Sequence, residues 1–137
     1  MSNPLYDTLF GCHAAKATPF LHIADGSTWT HAQFLELAAQ YAHVITDHGL
    51  VPGDRLAVQI EKSPQALALY AACVQSGVVF LPLNTAYTVD ELTYFIDNSG
   101  ASLVVCDPAR AATLGPVVAQ LGALLATLAG DGSGSLS

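Results

Sequence analysis

The stretch that decides the fold runs from Arg55 to Asn84 and reads RLAVQIEKSPQALALYAACVQSGVVFLPLN. It opens on RLAVQI at 55–60, which predicts a strand that follows a turn at 50–54. Ser63 then supplies the side-chain oxygen of a helix N-cap, and Pro64 has the fixed φ that suits the first helical position. The sequence therefore predicts a strand that turns directly into a helix.

The predicted helix extends to about Ser76 and is apolar nearly all round, so we expect it to be deeply buried. Its large apolar residues are Leu67, Leu69, Tyr70, Cys73 and Val74. Gly77 is placed to end it. The continuous apolar run over 78–83 predicts a second strand, covered on both faces like the central strands of a parallel sheet. A strand, a helix and a strand in this order predict a parallel βαβ unit.

Capping boxes mark the helices on either side of this unit. The motif THAQ at 30–33 predicts the start of a helix that ends near Gly49, and TVDE at 88–91 predicts the start of one that ends near Asn98. In each case an apolar residue before the cap and one after it are spaced as a hydrophobic staple: Trp29 with Phe34, and Tyr87 with Leu92.

Two more strands are predicted after these helices, a buried one over 103–106 (LVVC) and a final one over 123–128. We expect Val79 and Val105 to lie on central, neighbouring or near-neighbouring strands and to be buried on both faces. Strands that alternate with helices predict an α/β fold built from βαβ units with a mostly parallel sheet.

The helix between those two strands opens at Asp107 and Pro108, and we expect it to bend or break at Gly115-Pro116. At the other end of the chain, residues 5–30 predict a short helix and a two-strand element around Asp25-Gly26.

The composition excludes several classes of function. Hydrophobic residues make up 52% of the 137 residues and charged ones only 11%, which is well below the share of about 25% in an ordinary soluble domain. Much of this surface is therefore expected to be covered by more protein. The net charge of -7 and the scattered cations argue against nucleic-acid binding by this chain. They also argue against its binding a polyphosphate by itself. The cations are Lys16, Arg55, Lys62 and Arg110.

Cysteine usage and hydropathy indicate an intracellular chain. Cys12, Cys73 and Cys106 lie among apolar neighbours and are interpreted as small buried hydrophobes, which fits a reducing compartment. Residues 1–10 lack the basic start of a signal peptide, so we expect a cytoplasmic location. The uncharged run over 63–89 is long enough to span a bilayer, but the polar interruption at 75–77 predicts two buried elements instead.

Candidate metal and phosphate sites are weak. His43 and His48 are five residues apart and do not share a helix face, and no second ligand lies at zinc spacing from Cys12 and His13. Cys12 and His13 are also unsuited to act as nucleophile and base, since adjacent residues point apart. The alternating glycines over 130–134 lack the strand and helix of a phosphate loop and are interpreted as a linker.

Asp107 follows a buried strand, as the phosphoacceptor of a signalling receiver domain does. A receiver also needs an acidic pair after its first strand and a suitably placed lysine, and neither Lys16 nor Lys62 has that position. A helix cap explains Asp107 adequately. A non-catalytic, receiver-like α/β module is kept as an alternative.

Four motifs carry a family resemblance: GLVPGD at 49–54, LAVQIEKS at 56–63, GVVFLPLNTAY at 77–87 and the following Glu91-Leu92. Together with the helix after 27–30, their order resembles the opening of the adenylate-forming acyl-CoA synthetase superfamily. EKSPQALALY, LPLNTAYTVDELTYF and LVVCDP are most similar to malonyl-CoA synthetases.

The resemblance implies that residues 1–128 are the N-terminal part of the large adenylating domain, and that 129–137 are a flexible linker toward a phosphate loop. It implies ATP, Mg²⁺ and CoA as cofactors of the full-length enzyme, a small carboxylic acid as substrate, and the rest of the enzyme as partner. None of the family's catalytic, cofactor-binding or metal-binding residues maps onto this chain, so the segment alone is expected to be inactive and to bind none of these. A ligase for another small or aromatic acid remains an alternative. Glu61 and Lys62 are interpreted as a solvated turn.

Overall fold

The computed structural model describes residues 4–10, 19–22, 26–129 and 133–135. A small antiparallel pair of strands precedes a four-stranded parallel sheet with helices on both faces. The elements are α1 (Pro4–Leu9), β1 (Pro19–His22), β2 (Thr28–Thr30), α2 (His31–Asp47), β3 (Arg55–Gln59), α3 (Pro64–Ser76), β4 (Val79–Pro82), α4 (Val89–Ser99), β5 (Leu103–Cys106), a 3₁₀ turn (Pro108–Arg110), α5 (Ala111–Gln120) and β6 (Leu124–Thr127).

The strand order of the parallel sheet is β4-β3-β5-β6. Ala57 in the middle of β3 pairs with Leu81 on one side and with Val104 on the other. The chain thus leaves β3 toward β4 on one side, and after α4 it returns to the opposite side of β3 to form β5. This reversal puts a topological switch point between β3 and β5. The predicted α/β fold with a parallel sheet is confirmed.

The core consists of two layers, one on each face of the sheet. Because successive residues of a strand point to opposite faces, Leu56 and Val58 enter the layer with α2 and α3, whereas Ala57 enters the layer with α4 and α5. The same alternation divides β5, whose Val105 belongs to the first layer and Val104 to the second. β5 is buried along its whole length.

The helix caps predicted at Thr30, Ser63 and Thr88 are present. Thr30 and Thr88 each accept from the backbone N–H three residues on, and the side chains of Gln33 and Glu91 accept from the cap N–H in return. Ser63 accepts from the N–H of Ala66 at 3.0 Å, with Pro64 at the first helical position as predicted.

The prediction that β4 is covered on both faces was wrong. β4 lies at the edge of the sheet, and Val79 is 50% exposed, although Val105 is fully buried as expected. β4 pairs with β3 alone among the described strands, so it lacks the second neighbour that closes a central strand. α3 is also less buried than predicted. Leu69 and Cys73 face the core, but Leu67 is 38% exposed.

The helix expected to bend or break at Gly115-Pro116 continues through that point. α5 runs unbroken over Ala111–Gln120 with Pro116 inside it. Leu114 and Val118 are buried on either side of Pro116, and their packing holds the helix on the sheet despite the hydrogen bond that proline cannot donate. Asp107 caps the short 3₁₀ turn that precedes α5, where its Oδ1 accepts from the N–H of Ala109 at 2.9 Å.

The predicted short helix and two-strand element of the N-terminal region are present as α1 and the β1–β2 pair, although Asp25 lies outside the described residues. The linker interpretation of 129–137 stays a prediction. Of that stretch, Ser135 lies against the end of β6, where its hydroxyl accepts from the N–H of Thr127 at 2.9 Å.

Candidate functional site

The candidate site is a crevice at the carboxyl ends of β3 and β5, the switch point of the sheet. Ligands of open α/β sheets bind in such a crevice, because the loops that follow the two strands diverge there. It has a volume of about 170 Å³ and is called here the carboxyl-end crevice. Its walls are formed by Gln59, Ile60, Glu61, Thr85, Asp107, Ala109 and Arg110.

Gln59 is the polar residue at the end of β3, and only 2% of it is exposed. A buried amide is costly unless its donors and acceptors are paired. Its Nε2 donates to the carbonyl oxygen of Asn84 at 2.9 Å, and its Oε1 accepts from Arg110 at 3.0 Å. Gln59 therefore joins the end of β3 to the loop after β4 and to the segment after β5.

Arg110 is half-buried at the C-terminal end of the 3₁₀ turn, and its guanidinium group makes three hydrogen bonds. Besides the contact with Gln59, Nη1 donates to the carbonyl oxygen of Tyr87 at 3.2 Å and Nη2 donates to that of Thr85 at 3.1 Å. The sequence had identified Arg110 only as one of the chain's scattered cations. The structure instead brings Arg110 under the loop after β4, which we call the β4–α4 loop (residues 83–88).

The β4–α4 loop is stabilised by contacts of its own residues as well as by its hydrogen bonds to Gln59 and Arg110. The side-chain Oδ1 of Asn84 accepts from the N–H of Ala86 at 2.8 Å, and its carbonyl oxygen accepts from the N–H of Tyr87 at 3.0 Å. The ring of Tyr87 stacks on that of Phe95, with centroids 5.0 Å apart. These contacts support the loop where it enters α4.

The chemistry available in the crevice is limited. Cys106 ends β5 beside it, but burial and the neighbouring carboxylate of Asp107 raise the pKa of its thiol to about 11, partly offset by Arg110. Such a thiol stays protonated near neutral pH and is a poor nucleophile. Among the described residues no group of three His, Cys, Asp or Glu side chains is arranged to hold a metal ion. The ionisable groups that line the crevice are the carboxylates of Glu61 and Asp107 and the guanidinium group of Arg110.

Other residues considered in the sequence lie elsewhere. His48 is next to the C-terminus of α2 and contacts the carbonyl oxygen of Val44 through Nδ1 at 2.8 Å, and His43 is exposed on α2. Glu61 and Lys62 are exposed in the turn after β3, as interpreted. Cys12 and His13 lie outside the described residues, as do Gly130, Gly132 and Lys16.

Sequence reasoning missed Gln59 and Arg110 as a pair. A signal was present in the sequence, because a glutamine that ends an otherwise apolar buried strand must find polar partners. Its partner could not be identified in advance, since Arg110 lies 51 residues further along the chain.

Comparison with known proteins identifies the family. Residues 12–134 match the family described as AMP-binding enzyme. This chain belongs to that family. The match extends over nearly the whole chain, including both strands that form the carboxyl-end crevice.

Individual relatives are consistent with this assignment. The chain is 41% identical to MatB from Rhodopseudomonas palustris over 99% of its own length and 27% of that chain, with a TM-score of 0.93. It is 36% identical over 106 residues to a feruloyl-CoA synthase from Amycolatopsis sp, covering 77% of this chain and 21% of that protein. It is 29% identical over 114 residues to the fatty acid–[acyl-carrier-protein] ligase ScoC from Streptomyces coeruleorubidus, which is 83% of this chain and 21% of the relative.

The chain thus spans about a fifth to a quarter of the length of these relatives. In the part of the chain that the structure describes, no helix has the length and apolar character needed to cross a membrane.

Proposed function

We propose that this chain is the N-terminal part of the large domain of an ATP-dependent acid–CoA ligase that makes malonyl-CoA or methylmalonyl-CoA from the free acid. The observation that carries this proposal is the likeness to MatB, a malonyl-CoA synthetase, at 41% identity and a TM-score of 0.93 over 99% of the chain. Residues 1–128 would form the domain portion, and 129–137 would lead on toward a phosphate loop.

The proposed reaction has two steps. The carboxylate attacks the α-phosphorus of ATP, which releases pyrophosphate and gives an acyl-adenylate. The CoA thiol then attacks the acyl carbon, and AMP leaves. ATP use is supported by the AMP-binding family and by the ATP-bound structure of MatB, while Mg²⁺ and CoA follow from the proposed reaction.

The rest of the enzyme is the proposed partner of this segment. Both steps need cations and donors that stabilise charge developing on phosphate and acyl oxygens. The carboxyl-end crevice contains one guanidinium group, and its donors at Nη1 and Nη2 already bond to Gln59 and to two carbonyl oxygens of the β4–α4 loop. The segment therefore supplies scaffold and one wall of a site rather than a complete one. The buried thiols of Cys73 and Cys106 suit a cytoplasmic enzyme.

A second candidate is a ligase for another small or aromatic acid. The feruloyl-CoA synthase at 36% identity favours it, because that relative is named for an aromatic acid.

The deciding experiment measures AMP release and CoA thioester formation by the full-length enzyme. Malonate, methylmalonate, acetate, benzoate, ferulate and a long-chain fatty acid are compared at equal concentration. We expect malonate and methylmalonate to be clearly preferred. A preference for benzoate or ferulate would establish the second candidate. If none of the acids supports AMP release, the proposed ligase activity is refuted. The chain of residues 1–137 alone serves as control and is expected neither to release AMP nor to bind ATP in calorimetry.

A further inference from the structure

All of the hydrogen-bond partners of Arg110 among the described residues are neutral. Its Nη atoms donate to the amide oxygen of Gln59 and to the carbonyl oxygens of Thr85 and Tyr87. No carboxylate lies within ion-pair distance of it among the described residues. A planar guanidinium group can hold several acceptors in fixed directions, which the single charge centre of a lysine cannot do.

These bonds converge on one short segment. The segment accepts three hydrogen bonds through its carbonyl oxygens. Gln59 donates to that of Asn84, and Arg110 donates to those of Thr85 and Tyr87. The segment begins at the carboxyl end of the edge strand β4 and ends at the N-cap of α4, so only its two ends are otherwise anchored in regular structure. Without the two side chains, these carbonyl oxygens would lose donors, and the loop would depend on its internal hydrogen bonds and on the stacking of Tyr87.

The loop they hold contributes a wall to the carboxyl-end crevice through Thr85. The crevice lies where ligands of open α/β sheets bind. We propose that Arg110 is a positioning residue, which acts with Gln59 to hold the β4–α4 loop in the conformation that contacts a substrate of the ligase reaction. The substrate part of this proposal rests on the proposed function. The support of the loop by Arg110 does not.

The loop itself is tested by hydrogen exchange in the full-length protein. In Arg110→Met, the amide protons of Ala86 and Tyr87 should exchange at least tenfold faster than in the wild type. In Arg110→Lys the acceleration should be smaller, because one ammonium group reaches only some of the three acceptors. Arg55→Met is the matched control, since Arg55 is exposed at the opposite end of β3, and exchange in the loop should stay within twofold. Unchanged exchange at 86–87 in both Arg110 variants would overturn the proposal.

Kinetics with ATP, acid and CoA distinguish positioning from a merely structural role. A positioning role predicts that the KM of one substrate rises at least tenfold in Arg110→Lys, while the KM values of the other two stay within twofold. A structural role predicts a lower melting temperature and less active enzyme, with all three KM values unchanged, and this result would overturn the proposal. If Arg110→Met does not fold, Arg110→Lys carries both measurements. An inactive wild type would refute the proposed ligase, while the exchange experiment would still decide the role of Arg110 in the loop.

Discussion

β4 and β5 are both runs of four residues dominated by large apolar side chains, yet they differ in how deeply the structure buries them. β5 (LVVC) is buried at every position, whereas in β4 (VFLP) no residue is fully buried and Val79 is half exposed. β5 pairs with β3 and β6, and β4 pairs with β3 alone among the described strands. The difference teaches that burial of a strand follows from its number of neighbours as much as from its own residues.

The two strands also differ in the segments that follow them, which contain polar groups in both cases. The segment after β5 provides Arg110, and the segment after β4 provides the carbonyl oxygens that it binds. The central strand thus supplies the donor, and the edge strand supplies the loop that needs support. Each of the following predictions compares one substitution at β5 or directly after it with its counterpart at β4.

The largest difference is expected from a buried charge. Val105→Asp places a carboxylate in the dry core of β5 and should cost more than about 4 kcal/mol of stability, so that no folded protein is obtained. Val79→Asp puts the same charge on the exposed edge and should cost at most about 1 kcal/mol in the 137-residue chain. Soluble yield is measured for both variants, and the urea midpoint for Val79→Asp.

Equal losses in the two variants would mean that the edge position of β4 is wrong. Repeating Val79→Asp in a full-length ligase sharpens the test. A much larger loss there than in the 137-residue chain would show that the remaining protein covers β4.

A leucine truncation in each strand gives the next largest difference. Leu103 in β5 is fully buried, and Leu81 in β4 is partly buried against the layer of α4 and α5. Leu103→Ala should lower the free energy of unfolding by about 2–5 kcal/mol, in the range of core truncations. Leu81→Ala should cost less than half as much, because part of its surface already contacts water. Urea denaturation measures both, and a larger loss for Leu81→Ala would contradict the assignment.

The caps after the two strands should differ less. Thr88 takes part in a reciprocal capping box at the start of α4, and Thr88→Ala should cost about 1 kcal/mol. Asp107 caps only a 3₁₀ turn through one hydrogen bond to Ala109, so Asp107→Ala should cost less. Thermal unfolding of the two variants compares them. The reverse order would indicate that Asp107 has a role beyond the cap.

A further difference is expected in the response of β5 to alkaline pH. Burial raises the pKa of the Cys106 thiol to about 11 and that of Cys73 to about 12, above the ordinary value of 9.0. Between pH 9 and 11 the unfolded chain loses these protons while the folded chain keeps them, so stability falls as pH rises. Cys106→Ala should weaken this dependence of the urea midpoint on pH. As a control, the introduced thiol of Val79→Cys on the exposed edge should ionise near pH 9.

Much of this molecule is determined locally by its sequence. The caps at Thr30, Ser63 and Thr88 act within three residues, and strand alternation acts within two, so both could be predicted without any tertiary contact. For the same reason the order of strands and helices along the chain, and a mostly parallel sheet, could be predicted. The family resemblance came from these same scaffold motifs, which is why it identified an adenylate-forming enzyme without identifying a site residue.

Only the tertiary structure decided which apolar strand became the edge and where Arg110 binds. Val79 and Val105 both lie in short apolar runs of the sequence. The neighbouring residues of either valine do not indicate how many strands will pair with its own strand. Arg110 and Gln59 are 51 residues apart in the chain. They come into contact because the chain crosses from β4, on one side of β3, to β5 on the other side. Side-chain identity sets which partners a residue can accept, and the packing of distant segments sets which of those partners are within reach.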